Sequence, residues 1–193
     1  MDTHLRTFIA VELSETFRVC LAGLQKELQK TDANVKWVRP ENIHITLKFL
    51  GSIPPKKVKA IKEFFHEIFD STPAFNVRLA GLGAFPHLHK PKVIWAGLDD
   101  PDSRLKLLAE RTEEFLCRLG FPKERKEFKS HITLGRPRSF KNLSELTAAL
   151  QKTAIPPNME QRIEKITFFK STLTPQGPIY ESLLTHTLKP VPQ

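Results

Sequence analysis

The chain has 193 residues, 40% of them hydrophobic and 26% charged, with two cysteines and a net charge of +9. A domain of this length buries about 70% of its unfolded surface, so it needs no disulfide or structural metal to fold, and the composition excludes a fibrous or disordered chain. The basic excess points to a polyanionic partner, nucleic acid above all, although the scatter of Lys and Arg (KKVKAIK, KERKEFK, RPRSFK) also suits solvated helix faces.

RTFIAVEL (6–13) reads as a first strand. The apolar stretch around it is too short for a signal peptide or a membrane span, so a cytoplasmic location is expected by default. From Ser14, a candidate N-cap, Phe17, Leu21, Leu24 and Leu28 recur at helical spacing. VKWV (35–38) is short and β-like, and ENIHITLKFLG is a strand ending at Gly51. PPKKVKAIKEFFHEIFD (54–70) starts on prolines and places Val58, Ile61, Phe65 and Ile68 on one helical face. FNVRLAGLGAF (75–85) and KVIWAGL (92–98) alternate as strands about the polar linker PHLHKP. Residues 99–120 form a third helix with Leu105, Leu108, Phe115 and Leu119 on its face. A strand over 129–136 follows, then a short helix over 143–152 with Ser144 as its cap. RIEKITFFKSTL (162–173) and PIYESLLTHTL (178–188) are closing strands, and PVPQ is a tail. Cys20 and Cys117 lie in apolar, helix-like runs and read as reduced, buried thiols. Strands and helices without strict βαβ alternation predict an α+β fold with mainly antiparallel sheet. The recurrence of the same set of elements in two halves of similar length suggests pseudo-duplication.

The tetrapeptide HITL occurs twice, at 44–47 and 131–134. Alternation puts His44, Thr46 and Lys48 on one strand face and Ile45, Leu47 and Phe49 on the other; His131 and Thr133 likewise oppose Ile132 and Leu134. Packing selects the Ile and Leu positions but not His and Thr on the opposite face. A His and a Thr two apart, roughly 7 Å along a strand, suit a phosphate: the hydroxyl donates to a non-bridging oxygen and the imidazole moves a proton near neutral pH. Two such strands across a groove supply the base and the acid that in-line displacement at phosphorus requires. For any single position the plainer reading is a structural histidine and a good strand-forming threonine.

At these residues the sequence resembles the 2H phosphoesterases, whose mark is a pair of H-x-T-x motifs. RTFIAVEL, VKWVRPENIHITLKFLGSIP, AGLGAFP, EFKSHITLGRPR and FFKSTLTPQGPIYESL together resemble the RNA 2′,3′-cyclic phosphodiesterase branch, also called the 2′–5′ RNA ligase family, over nearly the whole chain. One departure is Ser130, where that branch usually has proline. The resemblance implies a bilobed α+β fold, with two mainly antiparallel sheets around a central groove. It implies one domain of two lobes, each contributing one motif, and a monomer that needs no cofactor. It also implies a metal-free reaction, in which water opens a 2′,3′-cyclic phosphate on RNA or a small nucleotide to a 2′-phosphate. His44 is then proton donor and His131 proton acceptor, with Thr46 and Thr133 on the phosphoryl oxygens. Reversal with an RNA 5′-hydroxyl makes a 2′–5′ linkage.

Lys48 and Arg136 are further phosphate candidates, although strict alternation puts Arg136 on the face opposite His131. Phe8 and Tyr180 are candidate base-stacking residues, and Arg39 a candidate backbone-phosphate contact. His87 and His89 suggest a metal only weakly, because no carboxylate or Cys accompanies them. Trp37 and Trp95 read as packing. The competing reading is a nucleotide- or RNA-binding module that keeps the groove without turnover. Cyclic ADP-ribose phosphates and 2′–5′ oligoadenylates are alternative substrates.

Overall fold

The computed structural model describes residues 4–190; of the expected PVPQ tail, 191–193 lie outside them. Strands β1 (Leu5–Glu12), β3 (His44–Ile53), β8 (Lys165–Thr174) and β9 (Gly177–Thr187) form one sheet in the order β3-β1-β8-β9. Strands β2 (Val35–Trp37), β4 (Phe75–Phe85), β5 (Val93–Asp99), β6 (His131–Pro137) and β7 (Glu160–Ile163) form the other, in the order β2-β6-β5-β4-β7. The strand ladders of both sheets are antiparallel. The α+β, two-sheet expectation therefore holds, but the sheets are not successive halves of the chain. The first sheet joins two N-terminal strands to the two C-terminal ones. The expected single strand over 162–173 breaks at Glu164, and there the chain passes from one sheet to the other.

The helices follow their apolar spacing. In α1 (Glu15–Gln29), Phe17, Leu21, Leu24 and Leu28 are buried, and the Ser14 hydroxyl accepts from the Phe17 N–H at 3.3 Å as an N-cap. α2 (Pro55–Phe69) starts on prolines, which lack the N–H that a helix start leaves unsatisfied. α3 (Arg104–Arg118) begins later than expected because the Asp100 carboxylate takes the first free amides, from Arg104 at 2.9 Å and Leu105 at 2.8 Å. In α4 (Leu143–Lys152) Ser144 is not the cap. It lies inside the first turn and donates to Glu145, while Asn142 occupies the cap position in a left-handed conformation. α1 follows a strand of the first sheet yet meets α4, which packs on β4 of the second; α3 follows a strand of the second sheet yet packs on β3 of the first. Each sheet is thus covered partly by a helix that the other sheet delivers. Cys20 and Cys117 are free but only half-buried. No helix among the described residues is long and apolar enough to cross a membrane.

Among the register shifts in the strand pairing, two fall inside the HITL motifs, and sequence alternation does not anticipate them. In β3, Thr46 lies opposite Ala10 and Lys48 opposite Ile9, so Leu47 is an extra residue without a partner on β1. In β6, Thr133 lies opposite Trp95 and Gly135 opposite Ile94, so Leu134 is the extra residue. Both are β-bulges at the leucine of HITL, and each reverses the inside–outside order of the residues that follow, in β3 as far as a second bulge at Leu50. Leu47 and Lys48 are consecutively buried, and Phe49 emerges 51% exposed. Lys48, expected beside His44 and Thr46, instead runs inward to Glu113 of α3 at 2.8 Å and the Pro122 carbonyl at 3.1 Å. The pair ties β3 to the helix that the second sheet delivers. Its side chains are 4% and 13% exposed, so removing one partner strands a buried charge. Lys48→Ala should lower stability by about 3–5 kcal/mol, and Lys48→Met with Glu113→Leu by much less. Thermal unfolding of the two variants checks this; equal losses would mean that the ion pair is not the tie.

Candidate active site

Each HITL histidine occupies the first residue of its strand and is fixed in the same way. His44 Nδ1 lies 2.8 Å from the Asn42 carbonyl, and His131 Nδ1 lies 2.6 Å from the Lys129 carbonyl, in both cases two residues upstream. A carbonyl only accepts, so Nδ1 carries the proton and Nε2 is left to exchange one. The repeated tetrapeptide therefore encodes a repeated imidazole posture.

Opposed residues in antiparallel strands share a face. On the first sheet that rule groups His44 and Thr46 with Ala10 and Thr167, and Phe8 with Phe49 and Phe169. Phe8 is 1% exposed. Its ring lies 4.8 Å from the rings of both His44 and Tyr180, and stacks at 5.1 Å on Phe169. Phe8 is thus the floor beneath the histidine and is not open to a base. Tyr180 stands edge-on to His44 at 5.4 Å and remains accessible. Phe49 and Phe169 on this face escaped sequence reading; only the bulge reveals the first.

On the second sheet the same rule groups His131 and Thr133 with Gly97 and Trp95. His131 stands edge-on to Phe85 at 5.0 Å. Trp95 lies on the groove face, across Gly83, where a Cβ would come within 2.4 Å of the indole. The bulge at Leu134 carries Arg136 round to the side of His131, reversing the expectation from strict alternation. Arg136 is exposed, and its charge acts on both His131 and Tyr180. Since Tyr180 touches His44, Arg136 lies between the two histidine clusters, and β3 and β6 are themselves in contact.

Burial lowers the proton affinity of both imidazoles, and the backbone hydrogen bonds partly oppose it; at His131 the Arg136 guanidinium lowers it further. A pocket of ≈ 420 Å³ opens beside His44, lined among others by Arg18, Arg39, Asn42, Phe169 and Tyr180. Arg39 is therefore at the site, with Glu41 3.8 Å away, whereas Lys48 is not. His87 and His89 lie with ring centroids 6.2 Å apart, and among the described residues no three His, Cys, Asp or Glu side chains are grouped to hold a metal. A second imidazole pair, His66 and His186 with their Nδ1 atoms 2.9 Å apart, lies where β9 meets α2. His186 opposes Ile166, on the core face of the sheet away from His44.

A family profile described as LigT-like phosphoesterase matches residues 11–95 and again 98–180. An RNA 2′,3′-cyclic phosphodiesterase of Methanothermobacter thermautotrophicus is 34% identical over 93% of this chain and 96% of its own length. Another from Archaeoglobus fulgidus is 36% identical, over 93% and 98%. The crystal structure of a Thermus thermophilus protein superposes with a TM-score of 0.79 at 28% identity, covering 96% of this chain and 98% of that one. E. coli LigT complexed with 3′-AMP superposes with a TM-score of 0.77 at 25% identity, covering 96% and 98%.

The lowered imidazoles have a measurable consequence. An unfolded histidine titrates near 6.5, so as pH falls the unfolded chain takes up these protons first. Stability should therefore drop from about pH 6.5 downward until the folded-state values are reached. An anion between the imidazoles favours their charged forms. In NMR titrations His44 and His131 should titrate below 6.5 in the free protein and move up on addition of inorganic phosphate, while His186, on the other face, stays where it is. Unmoved resonances of His44 and His131 at saturating phosphate would remove the anion from this site.

Proposed function

The chain belongs to the LigT-like phosphoesterase family, and we propose that it hydrolyses 2′,3′-cyclic phosphate ends of RNA or small nucleotides to 2′-phosphates. One observation carries the reading: two imidazoles, each fixed through Nδ1 to a carbonyl two residues upstream, begin matched His-Thr strands that touch one another from different sheets. The relatives are named for this activity on RNA, and the 3′-AMP complex of LigT is consistent with a nucleotide in the groove.

In the proposed reaction His131 Nε2 takes a proton from water as its oxygen bonds to phosphorus. The bond from phosphorus to the ribose 3′-oxygen breaks, and His44 Nε2 protonates that oxygen. Each positioned histidine is worth ~10²–10⁴ in rate. Thr46 and Thr133 donate to the non-bridging oxygens, and Arg136 offsets the charge that builds there. Acid, base and charge are all supplied by side chains, so the scheme needs no metal. With an RNA 5′-hydroxyl in place of water, the same attack opens the ring and joins the two strands by a 2′–5′ linkage. Arg39, Arg18 and Tyr180 border the space beside His44 and are placed to meet the nucleotide there. Both lobes act as one catalytic unit. The unpaired cysteines support a reducing, cytoplasmic setting, and the monomer is the simplest form in which one chain supplies both histidines.

Hydrolysis of cyclic-ended oligoribonucleotide in excess EDTA tests this. The wild type should turn over with a bell-shaped pH dependence of kcat/KM. His44→Ala and His131→Ala should each lose ~10²–10⁴, and the double variant little more than the worse single one. Tight nucleotide binding without turnover would leave the non-catalytic module as the better description.

A further inference from the structure

Gln25 lies in the middle of α1, 3% exposed among the buried leucines of that helix. Its amide nitrogen donates two hydrogen bonds, to the carbonyl of Val38 at 2.8 Å and to the carbonyl of Leu134 at 2.8 Å. The Leu134 carbonyl also accepts the Val38 N–H at 2.8 Å. Leu134 is the bulged residue of the second HITL strand. Helix, bulge and the end of β2 are thus joined in one closed hydrogen-bonded triangle. A bulge interrupts the ladder and leaves backbone polar groups to be satisfied elsewhere, and here a helix side chain reaches the bulged carbonyl.

The next residue adds a second constraint. A Cβ on Gly135 would lie 2.7 Å from Val35 and 2.9 Å from Trp37 side-chain atoms. β2 therefore closes tightly over β6 immediately after the bulge, and only a glycine permits that approach. The next residue is Arg136. Without the extra residue at Leu134, Arg136 would fall on the core face with Ile132, and Gly135 would take its place beside His131.

We propose that Gln25 is a positioning residue for catalysis: by holding the bulged Leu134 carbonyl it keeps the Arg136 guanidinium on the groove face beside His131. This rests on the phosphodiesterase reading only for its kinetic consequence; the placement of Arg136 is readable without turnover. Gln25 touches no reacting atom. It acts through the backbone, and its effect is confined to whatever Arg136 contributes.

That confinement defines the test. Gln25→Met and Gln25→Leu keep an apolar chain in the helix and remove the donor; both are made so that one folded variant suffices. Far-UV circular dichroism and thermal unfolding establish the fold. kcat/KM on cyclic-ended RNA should fall ~10–100-fold, the scale of a misplaced contact. In an Arg136→Ala background the same change should cost less than about twofold, because there is no guanidinium left to misplace. Losses that multiply fully in both backgrounds indicate a general structural role and overturn the proposal, as does a Gln25 variant of wild-type activity. Independently of activity, the NMR titration of His131 should move upward in Gln25→Met and in Arg136→Ala alike. Lys129, whose ammonium lies over the Phe85 ring at 5.8 Å, is a further cation near this histidine and is retained in both. An unchanged His131 titration in Gln25→Met alone rejects the positioning role even if the hydrolytic reading stands. Absence of hydrolysis in the wild type, with the titration shift present, rejects that reading and leaves the positioning intact.

Discussion

An unpaired leucine at the end of each HITL motif determines which of the next side chains reach the groove. A strand alternates with period two, so one extra residue exchanges the two faces for the residues that follow, up to any second bulge such as the one at Leu50 of β3. In β3 the exchange takes Lys48 out of the groove and brings Phe49 to the surface; in β6 it brings Arg136 in. The two motifs are identical over four residues, yet the fifth and sixth give one strand a buried ion pair with α3 and the other an exposed guanidinium. The shared local geometry produces two different half-sites because different residues come after the bulge.

Much of this was legible in the sequence wherever a short-range rule applies. The apolar spacing of Phe17, Leu21, Leu24 and Leu28 gave α1 its position and face. The repeated His-x-Thr gave the two matched His-Thr faces, since nothing in core packing selects those residues. The bulges were not legible, because Leu47 and Leu134 are ordinary strand residues and carry no local mark such as a left-handed glycine. The assignments of Lys48, Arg136 and Phe49 to faces were therefore inverted together, by one cause. Phe8 failed for another reason: alternation identifies its face but not what lies on it, and here His44, Tyr180 and Phe169 cover the ring. The passage from one sheet to the other at Glu164 was invisible too, since a break of one residue between two runs of alternating character changes no local pattern.

Interleaving of the sheets explains how two lobes hold a site between them with little freedom. β1 pairs with β3 on one side and with C-terminal β8 on the other, α1 reaches β6 through Gln25, and α3 packs on β3. Ser14, which caps α1 at the end of β1, also donates its N–H and hydroxyl to Gln161 of β7, at 2.9 and 3.0 Å. Lys48 ties β3 to α3 in the same sense. Buried residues of both sheets form one continuous core. Opening the groove would disturb packing and paired polar groups together, and acid–base catalysis benefits from that resistance, because reacting atoms must be held within fractions of an ångström.

The surroundings of the two imidazoles also bear on which gives a proton and which takes one, a question that two copies of HITL leave open. Both lose proton affinity through burial, and both recover part of it through an upstream carbonyl. The difference is Arg136. Its guanidinium acts on His131 and lowers the affinity further, while His44 packs against the rings of Phe8 and Tyr180. A cation beside His131 favours the neutral imidazole at the start of the reaction, which is the state a proton acceptor needs. When phosphate enters, its negative charge raises the affinity of both imidazoles, but the guanidinium neutralises part of that field on the His131 side. In the reaction proposed above, the imidazolium is the His44 ring, beside the leaving oxygen. On that proposal, the direction of proton flow is tied to the motif that is followed by an arginine on the groove face, and so to the bulge at Leu134.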